Sequence, residues 1–262
     1  MEFDALGNVI TAIALSVPRI AAAFLVLPVM AADTVPPLVR NSFFVVLAIV
    51  ASPFAAAAAP MTSLSGVEWV AIIAKEIFVG LCIGFLFGIV FWAIGIVGNI
   101  IDTKAGSNIA SVIDPLQGHQ TSLFGQFLSQ FVGWLFMASG GFLVFLNLLF
   151  GSYVIWPVTS GFPSLTMAGE VLFVDGLARV MLLSLLLSAP ALIVLTVVDV
   201  ALGLMNRYTP QLNVLVISIS IKSWMATWIV LLCIGVFVEF VLTDIARGNE
   251  LLDALKRALA PR

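Results

Sequence analysis

Four intervals of the chain carry no Asp, Glu, Lys or Arg: 41–67, 77–101, 115–169 and 180–198. About 20 consecutive apolar residues carry a helix across the hydrocarbon core of a membrane. The runs here are continuous, which argues against the short alternating strands of a membrane barrel. Extending them to their flanks predicts six hydrophobic segments: 9–30, 41–58, 72–101, 123–150, 171–205 and 223–243. The third interval has room for two segments, but Gly151, Pro157, Gly161 and Pro163 crowd its second half. It therefore reads as one long helix followed by a turn-rich loop. The third and fifth segments, the latter with Pro190 inside, exceed one straight span, and tilt, kinks or projection absorb the excess. The fold class is all-α, a polytopic integral membrane protein of long kinked helices and helical hairpins.

Composition agrees with that pattern. Of 262 residues, 62% are hydrophobic and 10% charged, against about 25% charged in an ordinary soluble domain. The net charge of −3 comes with no basic block, so nucleic acid is not an expected partner whereas membrane lipid is. Glu2 and Asp4 stand where a secretory signal would carry positive charge, so the first segment is expected to remain in the mature protein. Cys82 and Cys233 lie inside apolar runs and read as small buried hydrophobes.

Charge placement sets a conflict. Arg40, Lys104, Arg207 and Lys222 fall in the first, third and fifth connections, which would face the cytoplasm. Six clean crossings then leave the tail outside, yet it carries Arg247, Lys256, Arg257 and Arg262. Either one segment turns back or the helices do not cross as independent spans.

The catalytic inventory is thin. One histidine, His119, stands in a Gly–His–Gln–Thr–Ser stretch, and there is no HExxH, P-loop or GxGxxG. No enzyme, catalytic residue, cofactor or metal site is expected. Packing signals are richer. Gly80, Gly84, Gly88 and Gly95 share one helical face, where small residues let helices approach closely in lipid. Gly133 and Gly140 have the same potential on the fourth segment. Such faces serve contacts within the chain or contacts with a neighbouring subunit. Charges at membrane depth are usually paired or functional: Arg19 after Pro18, Lys75 with Glu76, Asp175 with Arg179 one turn on, and Asp199. A proton-coupled carrier, the alternative function, needs such an acid as Asp199, but also an internal repeat around it, and no convincing repeat is present.

Two polar connections stand out. Residues 102–122 read DTKAGSNIASVIDPLQGHQTS, either a surface loop or a re-entrant, pore-facing segment. Residues 206–222 put Pro210 in a short polar turn before β-branched residues and a lysine, as at the tip of a helical hairpin. Beyond Asp244, a stripe of Ile245, Leu252, Leu255 and Leu259 makes the tail amphipathic. It suits the membrane surface, the protein's own surface or a partner subunit.

Five stretches, in order, resemble the T subunit of the type III secretion export gate, the SctT family with the flagellar FliR as counterpart. They are PRIAAAFLVLPV (18–29), KEIFVGLCIGF (75–85), DPLQGHQTS (114–122), SYVIWPV (152–158) and ALGLMNRYTPQLNVLVISISIKS (201–223). SYVIWPV and the IKS ending favour the injectisome branch, associated with virulence. The resemblance implies a non-enzymatic subunit of a bacterial inner-membrane export gate within the secretion basal body. There, one T-type subunit joins five R-type and four S-type subunits and neighbouring export-apparatus subunits to pass unfolded secreted proteins. It implies an R-like part over 1–169 and, over 170–262, an S-like hairpin plus tail, the tail being the least transferable portion. It also implies a plug at about 99–118, with Gly106, Ser107, Asn108, Asp114 and Pro115. By the same resemblance, Asn206, Arg207, Pro210 and Lys222 form a hairpin tip that touches neighbouring subunits.

Overall fold

A computed structural model describes residues 2–30, 35–56, 66–106, 122–158, 160–165, 167–209 and 214–260. The helices are α1 (Glu2–Val26), α2 (Pro37–Ala56), α3 (Gly66–Ala105), α4 (Leu123–Ala138), α5 (Gly141–Ile155), α6 (Met167–Tyr208), α7 (Val214–Ala246) and α8 (Gly248–Ala258). A 3-10 turn, Pro28–Met30, follows α1. Two-residue strands β1 (Ser164–Leu165) and β2 (Leu259–Ala260) pair antiparallel. Among the described residues, four helices are long and apolar enough to cross a membrane, with a fifth span if α4 and α5 count as one. The protein is an all-α polytopic membrane protein.

The predicted 123–150 helix is broken. The axes of α4 and α5 diverge by 74°. Gly140 takes φ 77°, a left-handed conformation open to glycine at no steric cost, and its carbonyl accepts the first amide bond of α5 from Leu143. The turn falls on Ser139–Gly140–Gly141, a short turn-type run set between equally hydrophobic flanks. Neither Gly133 nor Gly140 has an atom against its missing side chain.

Elsewhere the helices outrun the pattern. α7 begins nine residues before the predicted start, so the β-branched VLVISISI run is helical. Its modest propensity penalty is outweighed where lipid forbids unpaired backbone groups and a helix satisfies them internally. α6 continues through Pro190, with Ser184 and Ser188 hydroxyls donating to the Met181 and Leu185 carbonyls in the turns before it. α3 stops at Gly106, whose φ of 90° lets its amide fold back on the carbonyls of Asp102 and Thr103.

The chain folds as two compact units that share its long helices. The first comprises Met1–Ile89, Phe136–Ala178 and Asp244–Arg262. Its core is aromatic: Phe24 contacts Phe43, Phe44, Phe142 and Phe145, and Phe145 meets Phe87. Here Gly80 and Gly84 of α3 lie on α1. A side chain at Gly80 would run into the Arg19 carbonyl, and one at Gly84 into the Ala23 carbonyl and Val26. The tail helix α8 packs on α5, burying Ile245, Leu255 and Leu259 within the protein itself.

The second unit comprises Val90–Leu135 and Arg179–Thr243. Ala93, Ile94, Val97, Leu128, Val132, Leu195, Ala226 and Val241 are fully buried in it. Its outer surface is apolar, with Leu185, Leu186, Ile193, Val197, Trp224, Trp228 and Leu232 more than half exposed. Apolar surface of this extent is compatible with hydrocarbon or another apolar helix, not with bulk water.

The α1–α3 contact yields a paired expectation. Gly84→Leu should lower stability in detergent by about 1–3 kcal/mol through overpacking, whereas Gly133→Ala, where nothing lies within 4 Å, should cost nothing. Thermal unfolding of the two purified variants decides it; equal melting temperatures would refute the close approach.

Candidate functional site

The second unit contains the neck of the 102–122 connection. At the end of α3, the Asp102 carboxylate is buried and faces the start of α4. Its Oδ2 accepts the Ser122 hydroxyl, the Phe124 amide at 2.8 Å and the Gly125 amide at 3.2 Å. Ser122 is itself the cap, its Oγ accepting the Gly125 amide at 3.0 Å. A helix begins with unpaired amides and a positive dipole end, so a carboxylate there satisfies both. One turn earlier on α3, the bare Cα of Gly98 lies against the backbone of Gly125, where no side chain fits. The two ends of the connection are thereby held together through Asp102, Ser122 and a glycine–glycine approach.

Two residues beyond Asp102, Lys104 donates to Asp199 Oδ2 at 2.9 Å, and Lys222 donates to the other oxygen at 3.1 Å. One acid of α6 therefore bridges lysines of α3 and α7. Lys104 and Asp199 are each 34% exposed and Lys222 13%. Asp199 is thus ion-paired on both oxygens.

The first unit holds a buried charge cluster. Arg19 Nε and Nη2 donate to the two Glu76 oxygens at 2.7 and 2.9 Å. Nη1 donates to Ser152 Oγ at 3.0 Å, and Nη2 also donates to the Trp156 carbonyl at 2.8 Å. The guanidinium carbon lies 4.1 Å from the centre of the Tyr153 ring, whose hydroxyl donates to the Ser16 carbonyl. Lys75 approaches Glu76 at 3.1 Å and donates to the carbonyls of Pro157 and Val158, both at 2.7 Å. Trp156 closes the cluster from outside, its indole nitrogen donating to the Leu259 carbonyl of the tail.

Of the residues singled out by sequence, Gly106 terminates α3, and Gly80 and Gly84 face α1. Gly88 is buried in α3, and a side chain at Gly95 would come within 3.1 Å of the Ser129 hydroxyl of α4. Asn206 and Arg207 are exposed in the last turn of α6. Lys222 is not at a loop tip but inside α7, paired with Asp199. Ser107, Asn108, Asp114, Pro115, His119 and Pro210 lie outside the described residues. Sequence reasoning missed the Asp102 clamp, the Gly98–Gly125 approach and the pairing of Arg19 with Glu76. A charged residue amid an apolar run signals that a partner exists, but not which one.

The chain matches the family described as bacterial export proteins, family 1, over residues 10–248. It is 36% identical to Yop proteins translocation protein T of Yersinia pestis over 214 residues, 81% of this chain and 82% of that protein. It is 30% identical to surface presentation of antigens protein SpaR of Salmonella typhimurium over 226 residues, 86% and 83% of the two chains. Flagellar biosynthetic protein FliR of Bacillus subtilis is 29% identical over 222 residues, 83% and 84% of the two.

The charge cluster is open to direct test. Glu76→Leu strands two buried cations and should destabilise the protein by about 3–5 kcal/mol. Adding Arg19→Met should recover part of that loss, because one of the stranded charges is removed. Melting curves in one detergent report both, and a double variant less stable than the single would contradict the pairing.

Proposed function

The chain belongs to the bacterial export proteins, family 1, and on that premise we propose that it is a non-enzymatic subunit of the export gate of a type III secretion system in the bacterial inner membrane. The observation that carries this reading is the family match over nearly the whole chain, joined by relatives named for protein translocation and flagellar biosynthesis. The physical features suit it. Long helices with apolar outer faces fit a subunit surrounded by lipid or by the helices of neighbouring subunits.

In this reading one copy assembles with five R-type and four S-type subunits and with adjoining export-apparatus subunits. Residues 1–169 take the R-like place, and 170–262 the S-like place plus the tail. Unfolded secreted proteins pass through the conduit the assembly encloses. The segment at about 99–118, with Gly106, Ser107, Asn108, Asp114 and Pro115, seals that conduit at rest. The clamp of Asp102 on Ser122 and the first turn of α4 supports the role, because a seal needs fixed ends. The hairpin tip around Asn206, Arg207 and Pro210 meets neighbouring subunits. Energy comes from a separate ATPase and the proton gradient.

Two measurements test the reading. Native mass spectrometry of the tagged chain, expressed with and without R- and S-type partners, should give a single copy inside a mixed complex. A stable partner-free protein that moves a solute in proteoliposomes would refute it and favour the carrier. Deleting residues 106–108 should raise ion leak through the assembled complex; an unchanged leak would refute the sealing role.

A further inference from the structure

The end of α3 is gripped on two sides. Residues two apart on an α-helix point about 200° apart, so Asp102 and Lys104 leave the same turn in opposite directions. Asp102 is buried and holds the start of α4. Lys104 holds Asp199 of α6, and Asp199 holds Lys222 of α7. Asp199 is the keystone of the outer grip, since it alone separates two lysines that would otherwise face each other. An exposed pair in open water contributes little. This one is a three-membered network rather than a lone pair, with Lys222 mostly covered while Lys104 and Asp199 each remain 34% exposed.

We propose that Asp199 is a positioning residue: by holding Lys104 and Lys222 together it fixes the last turn of α3 to the α6–α7 hairpin and keeps the Asp102 clamp on α4 closed. A shift of the hairpin and release of the α3–α4 joint then become a single event. Movement of the hairpin by a neighbouring subunit or by a passing chain is transmitted to α4, which Asp199 does not itself pair with. The inference rests on the export-gate reading for its purpose, but its geometry lies within the second unit alone.

The test uses the chain in its assembled complex. Hydrogen exchange of the Phe124 and Gly125 amides reports the clamp, and secretion and ion leak report the consequence. Asp199→Asn should speed exchange at those two amides several-fold and raise the leak, with exchange in α8 unchanged. Asp199→Glu should restore slow exchange. Asp199→Lys should be the most severe single change, and the inverted set Lys104→Glu, Asp199→Lys, Lys222→Glu should bring exchange back towards the wild type. Unchanged exchange in Asp199→Asn, with the complex intact, overturns the proposal. Should Asp199→Asn fail to assemble, the inverted set decides: assembly with slow exchange supports the grip, and failure like that of Asp199→Lys overturns it. Normal secretion in cells lacking the chain would instead refute the export-gate reading, while exchange in Asp199→Asn still decides the grip.

Discussion

Burying an arginine in a membrane protein obliges the fold to surround it, and the first unit is organised by that obligation. Arg19 leaves α1 directly after Pro18, and its guanidinium is answered by α3 through Glu76 and by α5 through Ser152. The Trp156 carbonyl answers it as well, so the turn after α5 is fixed by the same group. A charge this deep is tolerable only when every donor has an acceptor, which specifies the crossing of three helices more sharply than apolar contact does. Gly80 and Gly84 make the crossing possible, since any side chain there would push α1 away from α3. The aromatic cluster around Phe24 then fills the remaining space.

The same logic, in weaker form, organises the second unit. Asp102 works in a buried setting with backbone amides as partners, and Asp199 in a half-exposed one with lysines as partners. The first gives rigidity to a helix start. The second gives a bond between helices that can be exchanged for another at modest cost.

Much of this was legible in the sequence, and the illegible part has a common cause. Charge-free runs located the helices because hydrocarbon excludes charge, and this signal survives without any periodicity. The break at Gly140 was signalled only by the short Ser139–Gly140–Gly141 run between strongly apolar flanks, and β-branched residues obscured the true start of α7. Arg19, Lys75, Glu76 and Asp199 announced themselves as anomalies, but their partners lie 57 residues apart for Arg19 and Glu76 and farther for Ser152. Such pairings belong to the folded chain, not to local pattern. Lys222 shows the cost of reading locally, since its helix and its acid partner were both needed to place it.

The tail carries a consequence for biogenesis. The first unit is assembled from three stretches, and the last of them, from Asp244, supplies the Leu259 carbonyl that receives the Trp156 indole and the strand that pairs with Ser164 and Leu165. A unit so divided cannot close while its final stretch is still within the ribosome. Completion of the unit therefore follows synthesis of that stretch, and until then the Trp156 indole lacks its Leu259 acceptor. The last step is a docking event, and the order of synthesis becomes part of the folding pathway.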